Sequence, residues 1–102
     1  MRTTQHIQYT TRPGTAELNA DLIRGVFAEL AEIGPSDIEY AAYLLSDGQT
    51  FVHLFSSSSG GAPLTELPAF RRFQAAASDR HLAPPVSQSA ELIGHYVGRV
   101  DA

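Results

Sequence analysis

Asp47-Gly48 stands between two apolar runs, Ile38 to Ser46 and Gln49 to Ser56, and restricts the fold more than any other feature of the chain. Both residues tolerate positive φ, so the pair closes a β-hairpin, and a two-residue turn fixes which residues oppose each other. Counting back from it, Leu45 faces Thr50, Leu44 faces Phe51, Tyr43 faces Val52, Ala42 faces His53 and Tyr40 faces Phe55. One side of the hairpin carries Tyr43, Leu45, Val52 and Leu54. The other carries Tyr40, Ala42, Leu44, Phe51, His53 and Phe55. Both sides are apolar, so both need cover.

The rest of the chain supplies part of it. His6 to Arg12 alternates and is rich in Ile, Tyr and Thr, a strand closed by Pro13-Gly14. Thr15 then offers a helix N-cap. Leu18, Leu22, Ile23, Val26, Phe27, Leu30 and Ile33 come next at spacings of three and four, one wide apolar stripe that ends at Gly34-Pro35. Glu17, Asp21, Arg24, Glu29 and Glu32 fall mostly on the wet side. Ser57 to Ala62 reads as a Ser/Gly loop. A second helix is expected behind Thr65 as cap, with Pro68 in its first turn, Phe70, Phe73 and Ala77 on one face, and His81 before the Pro84-Pro85 stop. Glu91 to Arg99 is expected as the fourth strand. The order β-α-β-β-α-β predicts a ferredoxin-like α+β fold, an antiparallel four-stranded sheet with two helices on one face, as a single domain over residues 1–102.

With 102 residues, 43% of them hydrophobic, the chain can bury one core but not two. A net charge of -4 argues against nucleic acid, since phosphate binding wants clustered Lys and Arg and the chain has no basic stripe. The chain has no cysteine, which removes disulfides, thiolate metal sites and cysteine nucleophiles and fits a reducing compartment. Arg2 to Gln8 is polar and no apolar run approaches the roughly 20 residues of a membrane span, so a cytoplasmic protein is expected.

Two helices cover only one face of such a sheet. The bare face would expose several large side chains together, more than the few hundred Å² a monomer usually shows, and a second copy is the simplest cover. A homodimer is the expected partner state; long loops folding over that face are the alternative.

Tyr9 to Pro13, the helix segments Glu17-Leu18-Asn19 and Val26-Phe27-Ala28-Glu29-Leu30, Asp47-Gly48 with Phe51-Val52-His53-Leu54, and Pro63-Leu64 through Leu67-Pro68-Ala69-Phe70 resemble a group of small bacterial proteins. These belong to the dimeric α+β barrel superfamily that includes the antibiotic biosynthesis monooxygenases, and the resemblance spans nearly the whole chain. It implies a dimeric α+β barrel. The superfamily holds cofactor-free oxygenases, haem-degrading enzymes, cyclases, isomerases and plain binding proteins, so it does not imply one activity. Its quinone-forming oxygenases and its haem-degrading branch both use Trp, and this chain has none.

His53 is the sharpest candidate for chemistry. It lies mid-strand between Phe51 and Phe55, on the face assigned here to the barrel interior, where a neutral imidazole could act as base or hydrogen-bond a bound oxygen. The plain alternative is a satisfied core histidine. Tyr40 shares that face and would hold a carbonyl or phenolate, or merely pack at a dimer seam. Leu44, Phe51 and Phe55 complete an apolar pocket. Tyr96 and His95 alternate on the last expected strand, so only one can reach it. If Ile7 and Tyr9 face the helices, Gln8 and Thr10 become polar lining. Asn19 could reach the cavity mouth, or bond locally on its helix. The spacing of His6, His53, His81 and His95 gives no metal motif, and no cofactor is expected. A Ser-His-Asp triad and a phosphate-cradling glycine loop also find no support. Two functions remain: an enzyme carrying out proton transfer, cyclisation or cofactor-independent oxygenation on an aromatic or polyketide-like compound, or a non-catalytic binding module.

Overall fold

Alternation makes the first strand and a 3.6-residue stripe makes the long helix, and these two place everything else. A computed structural model describes residues 3–58 and 62–98. Its elements are β1 (Thr3–Thr10), α1 (Ala16–Ile33), β2 (Ile38–Leu44), β3 (Thr50–Ser57), α2 (Ala62–Thr65), α3 (Pro68–Gln74), α4 (Ala77–Arg80) and β4 (Val86–Ala90). The four strands form one sheet in the order β2-β3-β1-β4, every neighbouring pair antiparallel. This is the ferredoxin-like α+β fold that the element order predicts. Among the described residues no helix is long and apolar enough to cross a membrane.

The hairpin register holds: Tyr40 opposes Phe55, Ala42 opposes His53 and Leu44 opposes Phe51. The turn itself is wider than two residues. Leu45 N–H bonds Thr50 O at 2.8 Å, and Gly48, at φ 72°, returns its N–H to Leu45 O at 3.0 Å. Asp47 holds this wider turn with its carboxylate: Oδ1 accepts from the Gln49 and Thr50 amides at 2.8 Å each, and Oδ2 from the Thr50 hydroxyl. Those bonds, the Thr50 hydroxyl first, hold the Asp47 carboxyl below the usual carboxylate range.

Helix α1 buries Asn19, Ala20, Ile23 and Val26, while Leu18 and Ile33 at its ends stay more than half exposed. Thr15 sits at the N-cap position, but its hydroxyl donates to Arg12 O and Arg80 O instead of capping. Gly34 ends the helix in the left-handed region at φ 63°, its N–H returned to Leu30 O. Glu29, placed by the sequence on the wet side, instead accepts the Ala69 amide at 3.1 Å and ties α1 to the start of α3.

Two of the expected elements are corrected. The second helix is three short ones. Pro68 opens α3, so Leu67 before it is extended, and Thr65 closes α2 without capping α3. Ala76, left-handed at φ 57°, separates α3 from α4. The fourth strand is Val86–Ala90, not Glu91 to Arg99. Leu82 N–H bonds Thr10 O, and the chain leaves Pro84-Pro85 alongside β1, so the five residues after the prolines take the free edge from Gln8 back to Thr4. Residues 91–98 carry the apolar pattern but pair with nothing in this sheet, and Leu92, Ile93, Tyr96 and Val97 are exposed. Arg99 and residues 59–61 of the expected loop lie outside the described residues.

The register of β1 on β3 decides which face the helices cover. Ile7 opposes His53 and Tyr9 opposes Phe51, so these share the side that also carries Tyr40 and Phe55. Val26, Phe70 and Phe73 pack onto that side with Tyr9 and Phe51 in one core. His53 therefore lies under the helices, not on the open face as the barrel-interior assignment required. The open face carries Tyr43, Leu45 and Val86, all exposed, with Val52 and Leu54 half-buried between them.

Candidate functional site

Helices α2 to α4 do not seal onto the sheet. Between them lies a cavity of about 310 Å³, floored by Ile7, Tyr9, Tyr40, His53 and Phe55 and roofed by Leu64, Phe70, Phe73 and His81. That volume sits at the lower end of the range for small-molecule sites. Among the described residues, one further hollow lies between the C-terminal half of α1 and β2 and another on the open face. Neither is lined by His53.

His53 is 4% exposed and has both ring nitrogens engaged. The Tyr40 hydroxyl lies 2.6 Å from Nδ1 and the Tyr9 hydroxyl 2.9 Å from Nε2. Asn19, fully buried on α1, donates its Nδ2 to the Tyr9 oxygen at 2.9 Å. Arg80 at the end of α4 donates its Nε to Asn19 Oδ1 at 3.0 Å, and its other nitrogens to Ala75 O and Phe73 O. Five elements thus meet in one chain of hydrogen bonds, Tyr40–His53–Tyr9–Asn19–Arg80.

Burial sets the protonation of this chain. It pushes the His53 imidazole down to about 4, with the nearby His81 adding to the effect. Burial raises the Tyr40 phenol, with Tyr9 next to it adding to the rise. Burial also raises the Tyr9 phenol, against the Asn19 hydrogen bond and the Arg80 charge, which both favour the phenolate. At neutral pH the three groups are neutral, so they act as donors and acceptors and not as ions. His81 tilts over Tyr9 with ring centroids 4.3 Å apart, and its Nε2 is buried with no hydrogen-bond partner among the described residues. That atom is a second polar point on a mostly apolar wall.

Of the residues singled out by sequence, the structure brings Tyr40, His53 and Phe55 to the cavity and links Asn19 to it through Tyr9. Phe51 lies in the core beneath Tyr9, with ring centroids 5.7 Å apart, and Leu44 is half exposed at the end of β2; neither lines the cavity. Gln8 and Thr10 point to the open face, because Ile7 and Tyr9 hold the other. His95 and Tyr96 lie beyond β4, exposed, and neither lines the cavity. Sequence reasoning missed Tyr9, Phe70, Phe73, His81 and Arg80 as site residues. Tyr9 was recoverable from strand parity once β1 is paired with β3; nothing in Ser78-Asp79-Arg80-His81 separates Arg80 from a surface arginine. No group of three or more His, Cys, Asp or Glu placed to hold a metal occurs among the described residues.

Neither a protein-family model nor a curated protein matches this chain. Solved structures do. A proposed antibiotic biosynthesis monooxygenase from Nitrosomonas europaea is 10% identical and superposes with a TM-score of 0.74 over 90% of each chain. Another from Bacteroides thetaiotaomicron, 8% identical, gives 0.76 over 96% of this chain and 95% of its own. A variant of SnoaB, a cofactor-independent oxygenase from Streptomyces nogalater, is 11% identical and gives 0.66 over 92% and 95%. The chain therefore has the ferredoxin-type fold of antibiotic biosynthesis monooxygenase-like proteins, over nearly its full length and theirs. Identities this low speak for the fold alone.

Proposed function

We propose that the protein is a homodimer that binds an aromatic or polyketide-like small molecule in the cavity under its helices and acts on it without a cofactor, by proton transfer, cyclisation or oxygenation. One observation carries this reading: an apolar chamber whose polar groups converge on a single buried histidine. Ile7, Phe55, Phe70 and Phe73 suit a flat apolar molecule, and Tyr40 and His53 would orient its oxygen. His53 would then be the group that takes or lends a proton, with Tyr9 as its relay.

A thermal-shift screen against aromatic metabolites and polyketides tests this, repeated on His53→Ala. A ligand at 100 times its Kd should stabilise by about 2.7 kcal/mol. The shift should vanish in the variant. A ligand that stabilises both proteins equally sits elsewhere. A second reading, a non-catalytic binding module, draws on His53 having both nitrogens already engaged. It predicts binding without turnover.

The dimer rests on two apolar surfaces that one chain leaves uncovered: Tyr43, Leu45 and Val86 on the open face, and Leu92, Ile93, Tyr96 and Val97 beyond β4. Leu54→Arg, which places a charge at the middle of the open face, should convert the two-chain species to single chains in light scattering. An unchanged mass would put the contact elsewhere.

A further inference from the structure

The five-residue chain has a direction, and its far end fixes it. A guanidinium only donates, so the Asn19 atom facing Arg80 Nε must be the carbonyl Oδ1. The carboxamide orientation, often ambiguous, is thereby decided. Asn19 then presents its NH2 to the Tyr9 oxygen, which accepts. The hydrogen of Tyr9 has one remaining partner, His53 Nε2 at 2.9 Å. An Nε2 that accepts is bare, so a neutral ring carries its hydrogen on Nδ1 and donates it to the Tyr40 oxygen at 2.6 Å. The Tyr40 hydrogen is then the one hydroxyl hydrogen of the five residues without an acceptor among them, and Tyr40 lines the cavity.

The opposite polarity also leaves one hydroxyl hydrogen over, but on Tyr9, the more buried of the two tyrosine side chains. With hydrogen on Nε2, the Tyr9 oxygen would receive from both His53 and Asn19. Its own hydrogen would be stranded in a side chain only 6% exposed, with no third partner among the described residues.

We infer that Arg80 is a positioning residue: through Asn19 and Tyr9 it holds His53 as the Nδ1–H tautomer and leaves the Tyr40 hydroxyl hydrogen free for an acceptor oxygen on the ligand. The chamber then selects an apolar molecule bearing a carbonyl or phenolate oxygen over the same skeleton without it. The ligand half of this inference rests on the reading of the chamber as a binding site; the proton assignment does not.

The test is a nitrogen-15 spectrum of His53 in the whole protein, paired with calorimetry using 1-tetralone and tetralin, which share a fused-ring skeleton and differ at the carbonyl. The native spectrum should show hydrogen on Nδ1 and a bare Nε2. Asn19→Asp keeps the shape and the Arg80 contact but can only accept, so Tyr9 should turn its hydrogen to the carboxylate and His53 should flip to Nε2–H. The native protein should bind the ketone about tenfold more tightly, the size of one net hydrogen bond. Asn19→Asp should lose that preference together with the tautomer, and Tyr40→Phe should lose the preference with the tautomer unchanged. An Nε2–H native tautomer, or none flipping in Asn19→Asp, overturns the proton assignment. Equal binding of the two probes by native protein overturns the ligand half. If neither probe binds while the tautomers behave as stated, the chamber reading fails and the proton assignment stands. Should Asn19→Asp not fold, the native spectrum and Tyr40→Phe still decide.

Discussion

Replacing Phe73 with alanine should lower stability by about 3–5 kcal/mol, a large share of the 5–15 kcal/mol typical of a domain. Phe73 is 8% exposed and joins the two layers: its ring lies 5.7 Å from His53, 5.9 Å from Phe70 and 5.5 Å from the Arg80 guanidinium carbon. Removing the ring would also merge new empty space with the existing cavity, which the short helices above cannot close by moving as a unit. Leu18→Ala provides the comparison, since Leu18 is 55% exposed and should change stability by no more than about 0.5 kcal/mol. Urea midpoints at one fixed protein concentration measure both, because dimerisation would make stability depend on concentration. Equal effects from the two substitutions would mean that the helices do not close over the sheet at Phe73.

Acid should weaken the fold well before the carboxylates titrate. His53 ordinarily takes a proton near 6.5, but in the folded chain only at about 4. Between those two values the unfolded chain binds a proton that the folded chain refuses, so stability falls as the pH drops through that window. A gap of that size is worth roughly 3 kcal/mol, full stability returning above about pH 6.5. His81, also held down by burial, acts in the same direction. Asp47, held below its usual range, adds its loss only under more acid conditions. His53→Gln should remove most of the slope between pH 6.5 and 4 in urea titrations, leaving the His81 part. A variant that keeps the native slope would show that His53 protonates freely.

The fold was legible wherever a single element carries its own signal. The stripe from Leu22 to Leu30 needs only the helical period, and the opposition of Ala42 to His53 needs only the turn. What could not be read depends on one element meeting another. Which face of the hairpin turns to the helices is set by β1 on β3, a pairing that no turn dictates, and so Gln8 and Thr10 were placed with His53 when Ile7 and Tyr9 belong there. The fourth strand was missed because Val86-Ser-Gln-Ser-Ala is mostly polar and exposed, held by backbone bonds to β1 while the apolar run after it stays unpaired. Arg80 is the extreme case. A buried cation satisfied by two backbone carbonyls and one carboxamide leaves no imprint on the sequence around it.

The wider turn has one more consequence. The hairpin kept its pairing although the turn spans four residues where two were expected, because symmetric growth moves both strands alike. Turn segments that differ by an even, balanced number of residues are thus interchangeable between descendants of such a chain without disturbing His53. A single residue gained between Asp47 and His53 is another matter: it would carry the imidazole through the sheet to the side where Tyr43 lies, and Leu54 the opposite way. Insertions and deletions at this one hairpin, far more than substitutions, are the events that would relocate the chemistry of a lineage while leaving its fold in place.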